Sequence, residues 1–168
     1  MRLSLLLLCA LLLQGCTLDY KPEEYPLRDG LIPPFKASGP TTIVNAQPST
    51  DQTIVYSYGG QKMASDLHTI TETMVQQAKE ELAKNGQINA GGAPKTIELK
   101  VDSLLSEYTM AFFWKSNIHY EARLGDGTVV DRTVPHSSGV MVQDLNGCIA
   151  EGVKALFNDD QIKAYLAQ

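Results

Sequence analysis

Two stretches of the chain repeat apolar residues every three or four positions, which is the period of an amphipathic helix. The first runs from Ser65 to Lys84, where Asp66 or Ser65 itself can cap the start and Asn85-Gly86 supplies a left-handed stop. The apolar positions of this predicted helix are Leu67, Ile70, Met74, Ala78 and Leu82. Its other side is polar, so we expect the helix to pack against a sheet with one face only.

The second helical pattern begins near Ser138 or Gly139 and ends before Asn158. Its apolar stripe consists of Val142, Leu145, Ile149, Val153 and Leu156. Cys148 lies beside this stripe, where a small apolar thiol suits a buried position. Asn158 and Asp159 then predict the cap of a short terminal helix at residues 160–167.

Apolar alternation and β-branched runs predict the strands. These runs cover residues 41–46, 53–58, 97–101, 117–124 and 128–134. Gly125-Asp126-Gly127 predicts a tight hairpin turn, and Pro135 is expected to end the last strand. The order of elements predicts an α+β fold, in which an antiparallel sheet of about four to five strands carries two helices on one face. We assign residues 41–168 to this single domain.

The chain begins with Arg2 and an apolar run from Leu3 to Leu13. As a helix this run would be about 16 Å long, roughly half the thickness of a hydrocarbon core. It is therefore too short to span a membrane and has the proportions of a signal-peptide core.

The next residues, Leu13-Gln14-Gly15-Cys16, resemble the lipobox of bacterial lipoproteins. The resemblance implies that residues 1–15 are a signal peptide and that Cys16 receives diacylglycerol and acyl chains such as palmitate. Thr17 follows the cysteine instead of Asp, which by resemblance to Gram-negative sorting implies the outer membrane, facing the periplasm. The alternative is an ordinary secretory signal that is cleaved elsewhere.

Prolines are concentrated in residues 16–40, which follow the lipobox. Proline lacks an N–H and fixes φ, so the segment is expected to form an extended tether without helix. Five large apolar side chains offer the alternative that the tether docks on the domain: Tyr20, Tyr25, Leu31, Ile32 and Phe35.

Composition excludes several classes of protein. The chain has 168 residues, with 14 Lys and Arg against 19 Asp and Glu, a net charge of -5. This balance provides no basic surface for a nucleic acid. The 3 cysteines, of which Cys9 lies in the signal peptide and Cys16 in the lipobox, do not predict a disulfide framework.

The layout of the chain is similar to that of the YajG-type family of small envelope lipoproteins, and more distantly to auxiliary lipoproteins of ABC-type lipid transporters. The matching features are the lipobox, the Pro-rich segment, the helix ending at Asn85-Gly86, the strand around residues 97–101, the Gly125-Asp126-Gly127 hairpin and the final segment 159–166. The resemblance covers about residues 41–168 and implies a fold and a compartment, but no activity.

Candidate catalytic or metal-binding residues are few. His68, His119 and His136 are not spaced with Cys, Asp or Glu as metal sites require, and we expect no metal and no cofactor. Ser137 and Ser138 follow His136, but neighbours on one loop rarely form a nucleophile and its base, and they are better helix caps. Asp126 and Asp131 flank a hairpin, where turn geometry and solvent explain them. The sequence therefore favours a protein that is not an enzyme.

One segment between two strands is unusually apolar, namely residues 110–114, with Phe112, Phe113 and Trp114 in succession. It is either a strand end buried beneath another element or an exposed aromatic tip that contacts a partner or a bilayer. Lys115 follows Trp114 and suits a lipid headgroup region. We take this tip, with Tyr108, as the candidate contact surface.

The sequence thus favours a lipid-anchored envelope protein that binds another envelope component as an accessory or adaptor subunit. Its partners are the membrane and an envelope protein. The alternative is a periplasmic carrier of lipid or a small molecule, which needs an apolar cavity between the helices and the sheet.

Overall fold

The computed structural model describes residues 17–109 and 112–168. Within them lie nine strands: β1 (Thr17–Asp19), β2 (Phe35–Ala37), β3 (Thr41–Asn45), β4 (Gln52–Tyr58), β5 (Gln61–Asp66), β6 (Gly86–Ile88), β7 (Lys95–Thr109), β8 (Phe113–Leu124) and β9 (Val129–Ser138). The same residues form three helices: α1 (Leu67–Asn85), α2 (Met141–Asn158) and α3 (Asp160–Ala167).

The main sheet is mixed, so the expected purely antiparallel sheet of four to five strands is wrong. Its described part has seven strands in the order β1-β5-β4-β7-β8-β9, with β3 also on β7. The pairs β1–β5, β3–β7 and β4–β7 are parallel. Strand β7 has 15 residues, so β3 pairs with its first part and β4 with Ser106 near its end, both on one edge. Helix α1 carries the chain from β5 back to β7, and this crossover makes the parallel pairing possible.

Helices α1 and α2 both pack against the same face of the sheet. The side chains that fill this interface are fully buried and include Ile70, Met74, Ile97, Leu99, Ile118, Tyr120, Leu145, Ile149 and Val153. Helix α3 adds Ile162 and Leu166 to the same core. The described residues therefore contain helices on one face, as expected, but three of them instead of two.

Several element ends differ from the sequence prediction. Asp66 caps α1 by accepting a 2.7 Å hydrogen bond from the backbone N–H of Thr69, as predicted. Gly86, however, has φ of -82° and begins β6, so it is not a left-handed stop. Strand β9 continues through Pro135 because it is the last strand of the sheet, where a missing N–H breaks no ladder. Ser137 and Ser138 therefore end a strand, and α2 starts later, which leaves Val142 41% exposed.

Residues 20–40, which we call the strap, lie across both long helices. Tyr20, Ile32 and Phe35 are buried, and the Phe35 ring stacks on Phe157 with 5.1 Å between ring centroids. The Tyr20 hydroxyl donates a 2.6 Å hydrogen bond to Oδ1 of Asn146 in α2. Gln77 of α1 donates a 2.6 Å bond to the carbonyl of Tyr25, and strand β2 pairs with β6. Of the five apolar side chains expected to dock, Tyr20, Ile32 and Phe35 are thus buried on the domain, whereas Tyr25 and Leu31 are 40% and 37% exposed.

Two glycines allow the end of the strap to touch the chain before β7. A Cβ on Gly92 would lie 1.5 Å from the carbonyl oxygen of Ser38, and one on Gly39 would lie 1.8 Å from that of Ala93. Neighbouring Gly91 has no such contact, since its nearest neighbour would be 3.6 Å away. The close approach at Gly39 and Gly92 fixes where the strap meets the domain.

Candidate functional site

The hairpin between β7 and β8 places aromatic side chains at one end of the sheet. Three residues, 110–112, connect Thr109 to Phe113, which pair with each other. Phe112 closes the connection with φ of 61°, a left-handed conformation common at this place in three-residue hairpins but usually occupied by glycine. Phe112 is 79% exposed and Phe113 is 54% exposed. Neither burial nor backbone preference explains a phenylalanine at position 112.

Behind the tip, three aromatic rings form a continuous row on the helix-bearing face. Tyr58 at the end of β4 contacts Tyr108, with 4.8 Å between ring centroids. Tyr108 in turn meets Trp114 edge-on at 5.4 Å. Tyr108 and Trp114 are half-buried and pack against the core. We call Tyr58, Tyr108, Phe112, Phe113 and Trp114 the aromatic end.

A buried carboxylate supports the aromatic end from below. Asp144, in the first turn of α2, is fully buried, and its Oδ2 accepts hydrogen bonds from the hydroxyls of Ser106 and Ser116. These serines lie two residues from Tyr108 and Trp114 on the same strands, so they share a sheet face with the rings. The arrangement ties α2 to both strands of the hairpin, which holds the aromatic row on a rigid base.

Further exposed apolar residues lie at the same end of the sheet as the aromatic end. They are Val140 and Val142 beside the start of α2, and Leu18 in β1, three strand intervals from β7. Sequence reasoning missed Tyr58 and these three residues. Tyr58 carried a usable signal, because it ends a β-rich run immediately before Gly59-Gly60. Their position at this end of the sheet depends on strand order, which the sequence pattern did not indicate.

The structure places the sequence-predicted contact residues together but does not include the predicted lipidation site. Cys16 lies outside the described residues. Tyr108, Phe113 and Trp114 lie on paired strands, and Phe112 is in the turn that joins them. Lys115 is exposed on the other face of β8, opposite Glu107 of β7. Phe112 and Phe113 are therefore exposed in front of the half-buried Tyr108 and Trp114, and neither is part of a fully buried strand end.

The three histidines occupy separate places in the fold. Nδ1 of His68 lies 2.6 Å from the carbonyl oxygen of Gln47, and Nε2 of His119 lies 3.0 Å from Oδ1 of Asp131 on the outer sheet face. His136 packs against Gly147 of α2. Among the described residues, no three His, Cys, Asp or Glu side chains are grouped so that they could hold a metal ion.

Cys148 is fully buried, as the sequence predicted. Burial, together with the nearby Asp144, raises the pKa of the thiol well above its ordinary value, so the thiol stays protonated and unreactive. Burial likewise raises the pKa of Tyr20, whose neighbours include Cys148 and Glu23. Both groups are therefore neutral in the buried interface between the strap and α2.

Surface clefts lie along the strap. One, of about 320 Å³, is lined by Leu27, Leu31, His136 and Ala150 among others. Another, of about 420 Å³, lies between Glu23, Glu24 and the start of α1. No described helix is long and apolar enough to cross a bilayer.

Comparisons with known proteins give weak similarities. No family model matches the chain, and no curated protein matches it significantly. Among solved structures, the protein XCC0632 from Xanthomonas campestris, of the family model DUF330, is 14% identical over 90% of this chain and 95% of its own, with a TM-score of 0.46. A second, described as an uncharacterized protein, is 12% identical over 90% of this chain and 97% of its own, with a TM-score of 0.37. At these TM-scores neither similarity enters the argument that follows.

Proposed function

We propose that this chain is a lipid-anchored, non-enzymatic protein of the bacterial envelope that binds another envelope component as an accessory or adaptor subunit. The observation that carries the proposal is the aromatic end. Phe112 and Phe113 are exposed on a hairpin whose base is packed and hydrogen-bonded to the core. Large apolar side chains held rigidly in solvent are characteristic of a contact surface.

The anchor in this proposal is Cys16, after removal of residues 1–15. One acyl chain anchors a protein only reversibly, since each buried methylene contributes about 0.8 kcal/mol. Diacylglycerol and a further acyl chain on one cysteine would anchor the protein stably at the bilayer. Thr17 at the following position favours the outer membrane, with the domain in the periplasm.

Metabolic labelling tests the anchor. Cells that express the full chain are given radiolabelled palmitate, and the chain is expected to carry the label and to fractionate with the outer membrane. Cys16→Ser should abolish both, whereas Cys148→Ser, which changes a buried thiol, should abolish neither. Label on the Cys16→Ser chain, or the same fractionation without label, would contradict the proposed anchor.

Site-specific crosslinking tests the contact surface. A photo-crosslinking residue replaces Phe113 at the aromatic end or Val129 at the opposite end of the sheet, where 43% of that side chain is exposed. In intact cells we expect a distinct adduct from position 113 that depends on Cys16. An adduct of equal yield from position 129 would mean that the aromatic end is not the contact surface.

The carrier function is the second candidate, and the cleft between the strap and α2 favours it. Leu27, Leu31 and Ala150 provide apolar lining there. The space between the helices and the sheet, where a carrier would be expected to hold its ligand, is filled by fully buried side chains such as Met74, Leu99 and Ile149. Native mass spectrometry of the purified protein distinguishes the two functions, since co-purified lipid supports the carrier and unliganded protein supports the adaptor.

A further inference from the structure

We infer that the aromatic end enters the same bilayer that holds the lipid on Cys16, so that the protein meets the membrane at two points. This inference rests on the proposed lipid anchor. It names the envelope component that the aromatic end contacts, namely a phospholipid leaflet.

Thr17 lies at the end of the sheet that carries the hairpin tip. Strand β1 pairs in parallel with β5, and Thr17 is level with Lys62. Lys62 pairs with Ser57 of β4, which adjoins Tyr56, and Tyr56 pairs with Ser106 of β7. Thr17 is therefore in the same row across the sheet as Glu107 and its partner Lys115, immediately behind the hairpin tip.

The spacing of the strands gives the distance between Thr17 in β1 and the hairpin strand β7 along this row. Three strand intervals separate β1 from β7, and at about 4.8 Å each they amount to roughly 14 Å. Cys16 directly precedes Thr17 in the chain, so the proposed lipid would attach one residue from this row. Thr17, the residue that follows Cys16, and the aromatic hairpin are consequently at the same end of one sheet.

The hairpin tip projects beyond the row that contains Thr17 and Glu107. The paired residues Thr109 and Phe113 lie two positions beyond the Glu107 row, which is about 7 Å at the rise of a strand. A headgroup layer is about 5–8 Å thick on each side of the hydrocarbon core. With the strands upright on the leaflet that holds the lipid of Cys16, Phe112 and Phe113 would reach the depth of the headgroups.

Aromatic and lysine side chains are present at this end of the sheet. Trp and Tyr are enriched at the membrane–water interface, with Lys beside them. The aromatic end supplies Tyr58, Tyr108 and Trp114, and both Lys62 and Lys115 are exposed in the adjoining row. Leu18, 53% exposed, lies next to Thr17. A soluble protein partner would have to bind these residues in the space between this domain and the bilayer to which Cys16 anchors the domain.

Trp114 is the only tryptophan of the chain and provides the test. The full lipidated chain is reconstituted in vesicles of phosphatidylethanolamine and phosphatidylglycerol that contain phosphatidylcholine brominated high on its acyl chains. We expect quenching of Trp114 emission that is absent in vesicles without bromine. The matched control, Trp114→Phe with Val129→Trp, carries the same anchor with its tryptophan at the far end of the sheet and should not be quenched.

A tip variant separates insertion from mere proximity to the anchor. Phe112→Gly with Phe113→Ser keeps Cys16 and Trp114, and it should float with the vesicles but lose the quenching, with an unchanged circular dichroism spectrum. Unquenched Trp114 in a chain that floats would overturn the inference and leave the proposed anchor intact. Full quenching in the tip variant, or adducts of position 113 with protein instead of lipid, would overturn it too. A chain that does not float with the vesicles overturns both proposals.

Discussion

The strap and the aromatic end both contain aromatic residues, but Tyr20 and Phe35 of the strap are buried, whereas Phe112 and Phe113 of the aromatic end are exposed. The strap has little regular structure, yet Tyr20 and Phe35 are 2% and 8% exposed, and only Tyr25 of its aromatic residues is exposed, at 40%. The β7–β8 hairpin is regular secondary structure, yet its Phe112 and Phe113 are 79% and 54% exposed. Secondary structure around an aromatic residue therefore does not decide whether the residue is buried.

The difference shows which region serves stability and which is available for contact. Tyr20 and Phe35 of the strap are buried against α2, where the first is hydrogen-bonded and the second is stacked. Aromatic-end residues instead cap a hairpin that is already stabilised by the Asp144–Ser106–Ser116 hydrogen bonds. Substitutions in the strap should therefore change the free energy of unfolding, and those at the tip should not.

The largest effect is expected from removing a strap aromatic. Phe35→Ala deletes a buried ring stacked on Phe157 and should lower the free energy of unfolding by about 3–5 kcal/mol. Phe113→Ala removes a ring of the same size from solvent and should change it by less than about 0.5 kcal/mol. Urea denaturation of the two variants measures both values. Equal losses would show that the tip is part of the core.

A smaller effect is expected where the strap meets the residues before β7. Gly92→Ala forces a Cβ against the carbonyl of Ser38, and the shift needed to relieve this contact should cost about 1–3 kcal/mol. Gly91→Ala adds the same methyl group where its nearest neighbour is 3.6 Å away, and its effect should be much smaller. Thermal denaturation compares the pair. A Gly92→Ala chain as stable as the parent would mean that the strap end is free to move.

Phe112→Gly changes the aromatic end, and unlike the strap substitutions it should not destabilise the fold. It relieves a left-handed conformation that costs a non-glycine residue about 1–2 kcal/mol, although glycine is also more flexible in the unfolded chain. We expect stability to be unchanged or raised by about 1 kcal/mol. The same variant should weaken the contact made by the aromatic end. Scanning calorimetry would contradict this prediction if the melting temperature fell.

The smallest effect is expected from breaking an exposed ion pair. Among the described contacts, it is the one salt bridge between the strap and α1. Asp29 and Lys84 are 2.6 Å apart. The hydrogen bond and charge of Lys84 hold the pKa of Asp29 below its ordinary value. A lowered carboxyl pKa gives stability that is present above the unfolded-state pKa and is lost as the pH falls through the folded-state pKa. Asp29→Asn should thus lower the melting temperature slightly at neutral pH and not at all in strong acid.

Local patterns were sufficient to predict the helices and most strands from the sequence. The stripe from Leu67 to Leu82 predicted α1 and its Asp66 cap, and Asp159 predicted the start of α3. These features depend on residues three or four positions apart, which a sequence displays directly. The lipobox and the signal peptide are also local patterns, and both stay predictions because they lie outside the described residues.

Tertiary structure alone decided how distant segments meet. The sequence does not show that β3 and β4 share one edge of β7, that the strap packs on the helices, or that Thr17 lies at the same end of the sheet as the hairpin tip. Parallel pairing and strap docking join residues far apart in the chain, and their energies depend on the complete packed core. For the same reason, the apolar run at residues 110–114 was compatible with both a buried strand end and an exposed tip until the strand order was known.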